Sequence, residues 1–84
     1  MEIVKQNEHI NIIFTGDTPS GKTSVYTVLS RSRGQVLGII SWFSPWRQYC
    51  FAPANNMVWS SSCLDLVVEF LKEINKAHKD ALEN

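Results

Sequence analysis

The sequence lacks an apolar run long enough to cross a membrane, and its first residues lack the basic segment and apolar stretch of a signal peptide. We therefore expect a cytoplasmic protein with no membrane contact. With 84 residues, the chain fits a single domain with one modest core. A hydrophobic content of 44% and a charged content of 19% are typical of a globular protein rather than a disordered one.

Cysteine is also scarce, since only Cys50 and Cys63 are present. Two thiols do not make a disulfide framework, and both lie in apolar sequence, which favours free, packed thiols. The two histidines, His9 and His78, are distant in sequence from both cysteines, and no metal-ligand spacing occurs. We therefore expect no metal and no cofactor.

Acidic residues are missing from the middle of the chain. Residues 18–64 contain four cations and no acid, which gives this segment a charge of +4. Residues 1–17 and 65–84 carry −2 each, so that the formal net charge is zero. The positive middle segment suggests an anionic ligand or partner more strongly than the total charge does.

Most of the first two thirds of the chain predicts β-structure. Alternating or β-branched and aromatic residues favour strands, whereas clusters of glycine, proline and polar residues favour turns. Gly38 lies inside one apolar segment and predicts a bulge or the close approach of another side chain. The predicted strands are residues 9–14, 23–30, 36–43 and 47–51.

The C-terminal segment predicts an amphipathic helix over residues 63–79. Apolar residues recur at helical spacing from Leu64 to Ile74. Ser62 and Asp65 form a capping-box pattern, with Ser60 and Ser61 as competing caps. The fold class is therefore α+β: a small antiparallel meander of three or four strands, with the helix across one face. Residues 1–84 form one domain, in which 23–79 are the core and 1–22 could be an N-terminal appendage.

Residues 16–23, Gly-Asp-Thr-Pro-Ser-Gly-Lys-Thr, match the phosphate-binding loop of nucleotide hydrolases. That loop requires a helix to begin at its lysine, because the helix N-terminus supplies much of the anion binding. The residues after Lys22 instead favour a strand, and the chain is too short for the parallel sheet of those enzymes. The match is therefore interpreted as an ordinary turn-forming loop, and nucleotide binding is the third hypothesis for function.

Aromatic and basic residues cluster in residues 41–51. Their rings could stack on a planar ligand, and Arg47 could pair with a phosphate or carboxylate. Packing explains the same residues, since either Trp42 or Phe43 must face the core. Arg31 and Arg33 lie in a predicted hairpin, where cations are usually solvated. We predict a ligand- or partner-binding surface made of Trp42, Trp46, Arg47 and Tyr49, with anion or nucleic-acid contacts from Lys22, Arg31 and Arg33.

The leucine-glycine-x-isoleucine strand, the tryptophan that follows it and the block Trp-Arg-Gln-Tyr-x-Phe-x-Pro are carried here by residues 37–53. This pattern resembles a group of small uncharacterised proteins of bacteriophages and bacteria. The resemblance covers about residues 23–75. It implies a phage or prophage setting and no particular activity or functional residue.

No set of side chains in the sequence is typical of a catalytic site. We therefore expect a non-enzymatic binding protein that binds a protein partner, or sequesters a small anionic ligand, through an exposed sheet face. The alternative is a nucleic-acid-binding module of three strands and a helix, although a zero net charge is unusual for one. An exposed apolar sheet face would also favour a homodimer.

Overall fold

The computed structural model describes the backbone of residues 2–83 and the side chains of residues 2–82. Five strands form one antiparallel sheet in the order β1-β2-β3-β4-β5, and a long helix, α1, follows them. The predicted α+β class is confirmed, with five strands instead of three or four. The elements are β1 (Glu2–Gln6), β2 (Ile10–Asp17), β3 (Ser24–Ser30), β4 (Val36–Phe43), a 3₁₀ turn (Ser44–Trp46), β5 (Gln48–Pro53) and α1 (Ser61–Glu83).

The strand that the sequence did not predict is β1. It lies at the edge of the sheet, most of its residues are exposed, and its pairing with β2 shifts between Ile3 and Lys5. The shift is typical of a β-bulge, which interrupts the alternation that identifies a strand from sequence. Residues 2–17 thus form two strands of the sheet, and β2 supplies Ile10 and Ile12 to the core.

One face of the sheet and the apolar stripe of α1 form the core. Ile12, Val28 and Ile40 come from three adjacent strands, and each is 0% exposed. From the helix, Val67 and Phe70 are buried against them, as the helical spacing predicts. Burial of these side chains is the main source of stability in so small a domain.

The helix begins earlier than predicted because a different serine caps it. The Cys63 backbone N–H donates to Ser60 Oγ at 3.3 Å, and the Leu64 N–H donates to the Ser60 carbonyl oxygen at 3.0 Å. The N-cap is therefore Ser60, and the predicted capping box of Ser62 and Asp65 does not form. No helix in the described part of the chain is long and apolar enough to cross a membrane.

Lys5 ties the edge strand β1 to the helix. Its Nζ lies 2.9 Å from a carboxylate oxygen of Glu73 and 3.1 Å from one of Glu69. Hydrogen bonds to these two carboxylates raise the pKa of Lys5 above its ordinary value. Because both carboxylates are largely exposed, the pairing contributes at most about 1 kcal/mol to stability.

The other face of the sheet, which we call the open face, is not covered by any described element. Its central row crosses all five strands through Ile3, Ile13, Thr27, Ile39 and Ala52. Side chains alternate along a strand, so the register assigns the remaining positions. They are Gln6, Asn11, Val25, Leu29, Val36, Ser41, Phe43, Gln48 and Cys50. None of the described residues assigned to the open face is therefore charged.

Gly38 confirms both expectations from sequence. The pairing of β3 with β4 shifts next to it, between Val28 and Leu29, and the ring of Phe51 lies over its Cα. A Cβ added at Gly38 would come 2.6 Å from Phe51 Cζ and 2.9 Å from the Ala52 carbonyl oxygen. Such distances leave no room for a side chain.

We expect Gly38→Ala to lower the free energy of unfolding by about 1–3 kcal/mol, because the new methyl group must displace the ring of Phe51. Urea denaturation measures the loss. In a Phe51→Leu background, which lacks the ring atoms in contact, the same substitution should cost less. An equal loss in both backgrounds would contradict the role assigned to Phe51.

Candidate functional site

The four residues predicted to form one binding surface lie on different sides of the sheet. Trp42 and Tyr49 are on the face that α1 covers, and they pack against its core. Trp46 is 68% exposed and packs its ring against Phe43, an open-face residue, at a centroid distance of 5.1 Å. Arg47 is exposed in the turn between them. A single aromatic and arginine face therefore does not form.

The turn from β4 to β5 produces this separation. Pro45 favours the 3₁₀ turn, and Arg47 ends it in the left-handed conformation, at φ 54° and ψ 46°. The Arg47 N–H donates to the carbonyl oxygens of Phe43, at 2.9 Å, and Ser44, at 3.1 Å. A left-handed residue other than glycine costs roughly 1 kcal/mol. These hydrogen bonds offset that cost and fix the position of Arg47 beside Trp42.

Tyr49 is 6% exposed and is held at both ends. Its hydroxyl accepts a hydrogen bond from the Ser24 backbone N–H at 3.0 Å. Its backbone N–H donates to Asn75 Oδ1 at 2.7 Å, and its carbonyl oxygen accepts from Asn75 Nδ2 at 3.2 Å. Tyr49 is therefore a core residue that positions its neighbours, and it does not lie on the exposed face that the sequence suggested.

Trp42 packs edge-on against Tyr49, with ring centroids 5.4 Å apart. His78 of α1 also packs against the indole, with a centroid distance of 4.6 Å and an angle of 45° between the rings, and its ring lies 6.0 Å from that of Tyr49. Both rings remain half-buried, so part of each faces a cleft at the end of the sheet where the helix ends. We call this the Trp42 cleft.

The Trp42 cleft has two lobes that share Trp42, His78 and Leu82 as their common wall. The first lobe has a volume of about 490 Å³ and is completed by Lys22, Thr23 and Ala81. The second lobe has a volume of about 330 Å³ and is completed by Arg47, Gln48, Asn75 and Lys79. Lys22 and Arg47, which the sequence singled out separately, thus each line a lobe that has Trp42 in its wall.

The lining of the Trp42 cleft is positively charged. Lys22, Arg47 and Lys79 contribute cations, and no described lining residue is acidic. Of the acids at this end of the molecule, Asp17 accepts a hydrogen bond from Ser24 Oγ at 2.8 Å, and Asp80 pairs with Lys76 at 3.0 Å. The C-terminus of α1 adds partial negative charge, which one of the cations can offset. Among the described side chains, none of Lys22, Arg47 and Lys79 forms an ion pair.

Arg31 and Arg33 lie at the opposite end of β3 from Lys22. The Arg31 guanidinium donates to the Asn7 carbonyl oxygen at 2.8 Å, so it braces the hairpin against the turn after β1. The predicted cations are thus split between two ends of the sheet. They form no continuous basic stripe of the kind that follows a nucleic-acid backbone.

The segment that matches a phosphate-binding loop is the hairpin between β2 and β3. The Thr18 N–H donates to the Thr23 carbonyl oxygen at 2.9 Å, and β3 begins at Ser24. No helix begins at Lys22, so the loop lacks the helix N-terminus that binds phosphate in nucleotide hydrolases. The interpretation of this match as an ordinary loop agrees with that geometry.

His78 and Lys79 also line the cleft, and the sequence did not single them out. His78 continues the apolar stripe of α1 from Leu71 and Ile74 at spacings of three and four residues. That periodicity was the available signal. The sequence does not show how the helix packs on the sheet, and this packing decides which strand the end of the helix contacts.

Neither cysteine is placed for chemistry in the described structure. Cys63 is buried, as expected of a packed thiol, and Cys50 is half-buried on the open face. Among the side chains of residues 2–82, no three of His, Cys, Asp or Glu converge in a way that could hold a metal ion.

We expect Tyr49→Phe to lower the free energy of unfolding by about 1–2 kcal/mol, because the Ser24 N–H loses its acceptor in a partly buried position. Thermal or urea denaturation measures this. Tyr26→Phe is the matched control, since the partner of the Tyr26 hydroxyl is the Ser24 side chain and not a backbone N–H. Equal losses in the two variants would contradict the positioning role of Tyr49.

Comparisons of the chain with protein-family models, with curated proteins and with solved structures found no match. No activity or ligand is therefore transferred to this protein from a relative. The resemblance of residues 23–75 to small phage and bacterial proteins stays a prediction. What the protein does must be inferred from the geometry of its own residues.

Proposed function

We propose that this chain is a non-enzymatic binding protein that sequesters a small anionic ligand with a planar ring in the Trp42 cleft. One observation carries the proposal. In that cleft, the adjacent rings of Trp42 and His78 are surrounded by cations and by no described acid. Rings bind planar groups by stacking, and cations bind negative charge, so this pairing selects a ligand that has both.

The first lobe suits the ring of the ligand. Its walls are mostly apolar, with Trp42, Ala81 and Leu82 beside the single cation Lys22. A planar group that enters this lobe would cover apolar surface and contact the indole. Stacking of one ring on an aromatic side chain is worth about 1–3 kcal/mol, which is enough to set the orientation of a small ligand.

The second lobe suits the anionic group. Arg47 can donate two parallel hydrogen bonds to a carboxylate or phosphate, and Lys79 adds a second charge. The side chain of Asn75 is engaged with the backbone of Tyr49 and is therefore not free to compete. The turn fixes the backbone of Arg47, which reduces the entropy lost when the ligand binds.

The size of the cleft agrees with a small ligand. Lobes of about 490 and 330 Å³ lie within the usual range for small-molecule sites, about 300–1,000 Å³. Groups that stack and neutralise charge dominate the lining, which favours binding over chemistry. The nucleic-acid alternative has less support, because Arg31 and Arg33 lie at the far end of the sheet.

A titration with matched probes tests the proposal. Adenosine monophosphate and benzoate each combine a ring with an anion, whereas adenosine supplies a ring alone and inorganic phosphate a charge alone. We expect both combined probes to shift the indole N–H resonance of Trp42 in NMR spectra. Adenosine and phosphate should bind at least about tenfold more weakly, a difference of about 1.4 kcal/mol.

Charge removal supplies the control. Arg47→Gln should weaken binding of the combined probes about tenfold, whereas Arg33→Gln removes an exposed arginine at the far end and should leave it unchanged. If neither combined probe shifts Trp42 at millimolar concentration, or if both variants weaken binding equally, the proposal is wrong.

A further inference from the structure

The open face is unusual for a surface of so small a protein. It carries no charged side chain, and Ile3, Val36, Ile39 and Phe43 are all exposed on it. Trp46 extends it at one corner, where its ring packs on Phe43. Single exposed apolar side chains are common, but a continuous apolar patch marks an interaction surface.

We infer that the open face binds a second copy of this chain, so that two sheets pack face to face with the helices outside. A two-fold axis places each patch of a surface against the same patch of its partner. Any charge near the centre would then meet a like charge. The central row, Ile3, Ile13, Thr27, Ile39 and Ala52, contains none, which satisfies the condition for self-packing.

The flat footprint of the open face is about two thirds of the area that a standard dimer interface buries on each partner. Five strands about 4.8 Å apart, with about seven residues each at about 3.3 Å per residue, give a footprint of roughly 550 Å². Projecting side chains make the accessible area larger than this flat footprint, and Trp46 adds to it. A standard interface buries about 800 Å² on each partner.

The two edges of the sheet are less suitable for self-association. The pairing of β1 is interrupted by its bulge, and Lys5 is tied to the helix. At the other edge, Asn75 occupies the free backbone groups of Tyr49, and Pro53 has no N–H to donate. Bulges, charges and prolines are the usual devices that prevent edge-to-edge pairing. The face is therefore the favoured contact.

Two side chains at the centre of the open face project little above the sheet. Ile13 and Thr27 are almost fully buried within the sheet surface, whereas Ile39 stands out beside them. Two such sheets can pack with their strands within about 30° of each other, at a separation of about 10 Å. The exposed side chains of one copy, such as Ile39, would then pack over Ile13 and Thr27 of the other copy.

Sedimentation equilibrium of the full chain tests this inference. A dimer has twice the chain mass of 9.6 kDa. Ile39→Lys places a charge on the central row and should convert the dimer to a folded monomer, with at least a hundredfold weaker association. The matched control is Val68→Lys on the outer side of α1, where a β-branched residue is similarly exposed, at 46% against 37% for Ile39. It should remain dimeric.

A second variant, and the outcomes that would overturn the inference, complete the test. If Ile39→Lys fails to fold, Trp46→Ser replaces it, since Trp46 is too exposed to be needed for folding, and it should weaken association by about tenfold or more. A wild-type chain that stays monomeric at a protein concentration of about 1 mM would overturn the inference, because a dimer with a Kd in the micromolar range would be almost fully formed there. So would a dimer that survives Ile39→Lys but is broken by Val4→Pro in β1, because it would pair by its edges.

This inference is independent of the ligand proposal. The Trp42 cleft lies on the helix side of the sheet. It shares one lining residue, Gln48, with the end of the open face and none with its central row. A monomeric Ile39→Lys variant that still binds the ring-and-anion probes would show that the two surfaces act separately. Loss of dimerisation and loss of ligand binding are thus distinguishable.

Discussion

Much of the structure depends on the way Tyr49 is held between the helix and the sheet. The side chain of Asn75 forms two hydrogen bonds with the backbone of Tyr49. The hydroxyl of Tyr49 accepts a hydrogen bond from the N–H of Ser24, at the start of β3. Because β5 is an edge strand, its outward backbone groups would otherwise need another partner or water. The pairing satisfies them and fixes the C-terminal half of α1 against the sheet.

The position of the helix then decides what each face of the sheet can do. His78 lies one turn beyond Asn75 on the helix, so the pairing with Tyr49 also brings the imidazole to the indole of Trp42. Lys79 follows at the rim of the same cleft. The other face remains uncovered and uncharged. The proposed ligand site and the proposed dimer surface thus result from one arrangement of helix on sheet.

Local sequence patterns predicted most of the elements of the fold. Alternation, β-branched and aromatic composition or continuous apolarity predicted β2 to β5, and helical spacing predicted α1. The edge strand β1 escaped prediction since it buries little and its alternation is broken by a bulge. The observed N-cap is Ser60 and not the predicted Ser62. Several serines compete at this position, and the packing of the helix decides which of them caps it.

The site was only partly predictable, for a physical reason. The sequence identified Trp42, Arg47 and Lys22 as unusual residues, but their meeting in one cleft depends on long-range register. Which of two adjacent aromatic residues faces the core is decided by the helix, and so Trp42 turned inward while Phe43 and Trp46 lie outside. Tyr49 was predicted to lie on the ligand- or partner-binding surface. Strand alternation alone did not show which face of the sheet the helix covers, and so it did not show that Tyr49 is buried.

Native mass spectrometry of protein purified gently from cells tests the central claim most directly, because it reads oligomer mass and retained ligand together. The account predicts a species of twice 9.6 kDa that carries additional small-molecule mass, lost when Arg47 is replaced by glutamine. A bare monomer under the same conditions would contradict both the use of the open face by a second copy and the sequestering role of the Trp42 cleft.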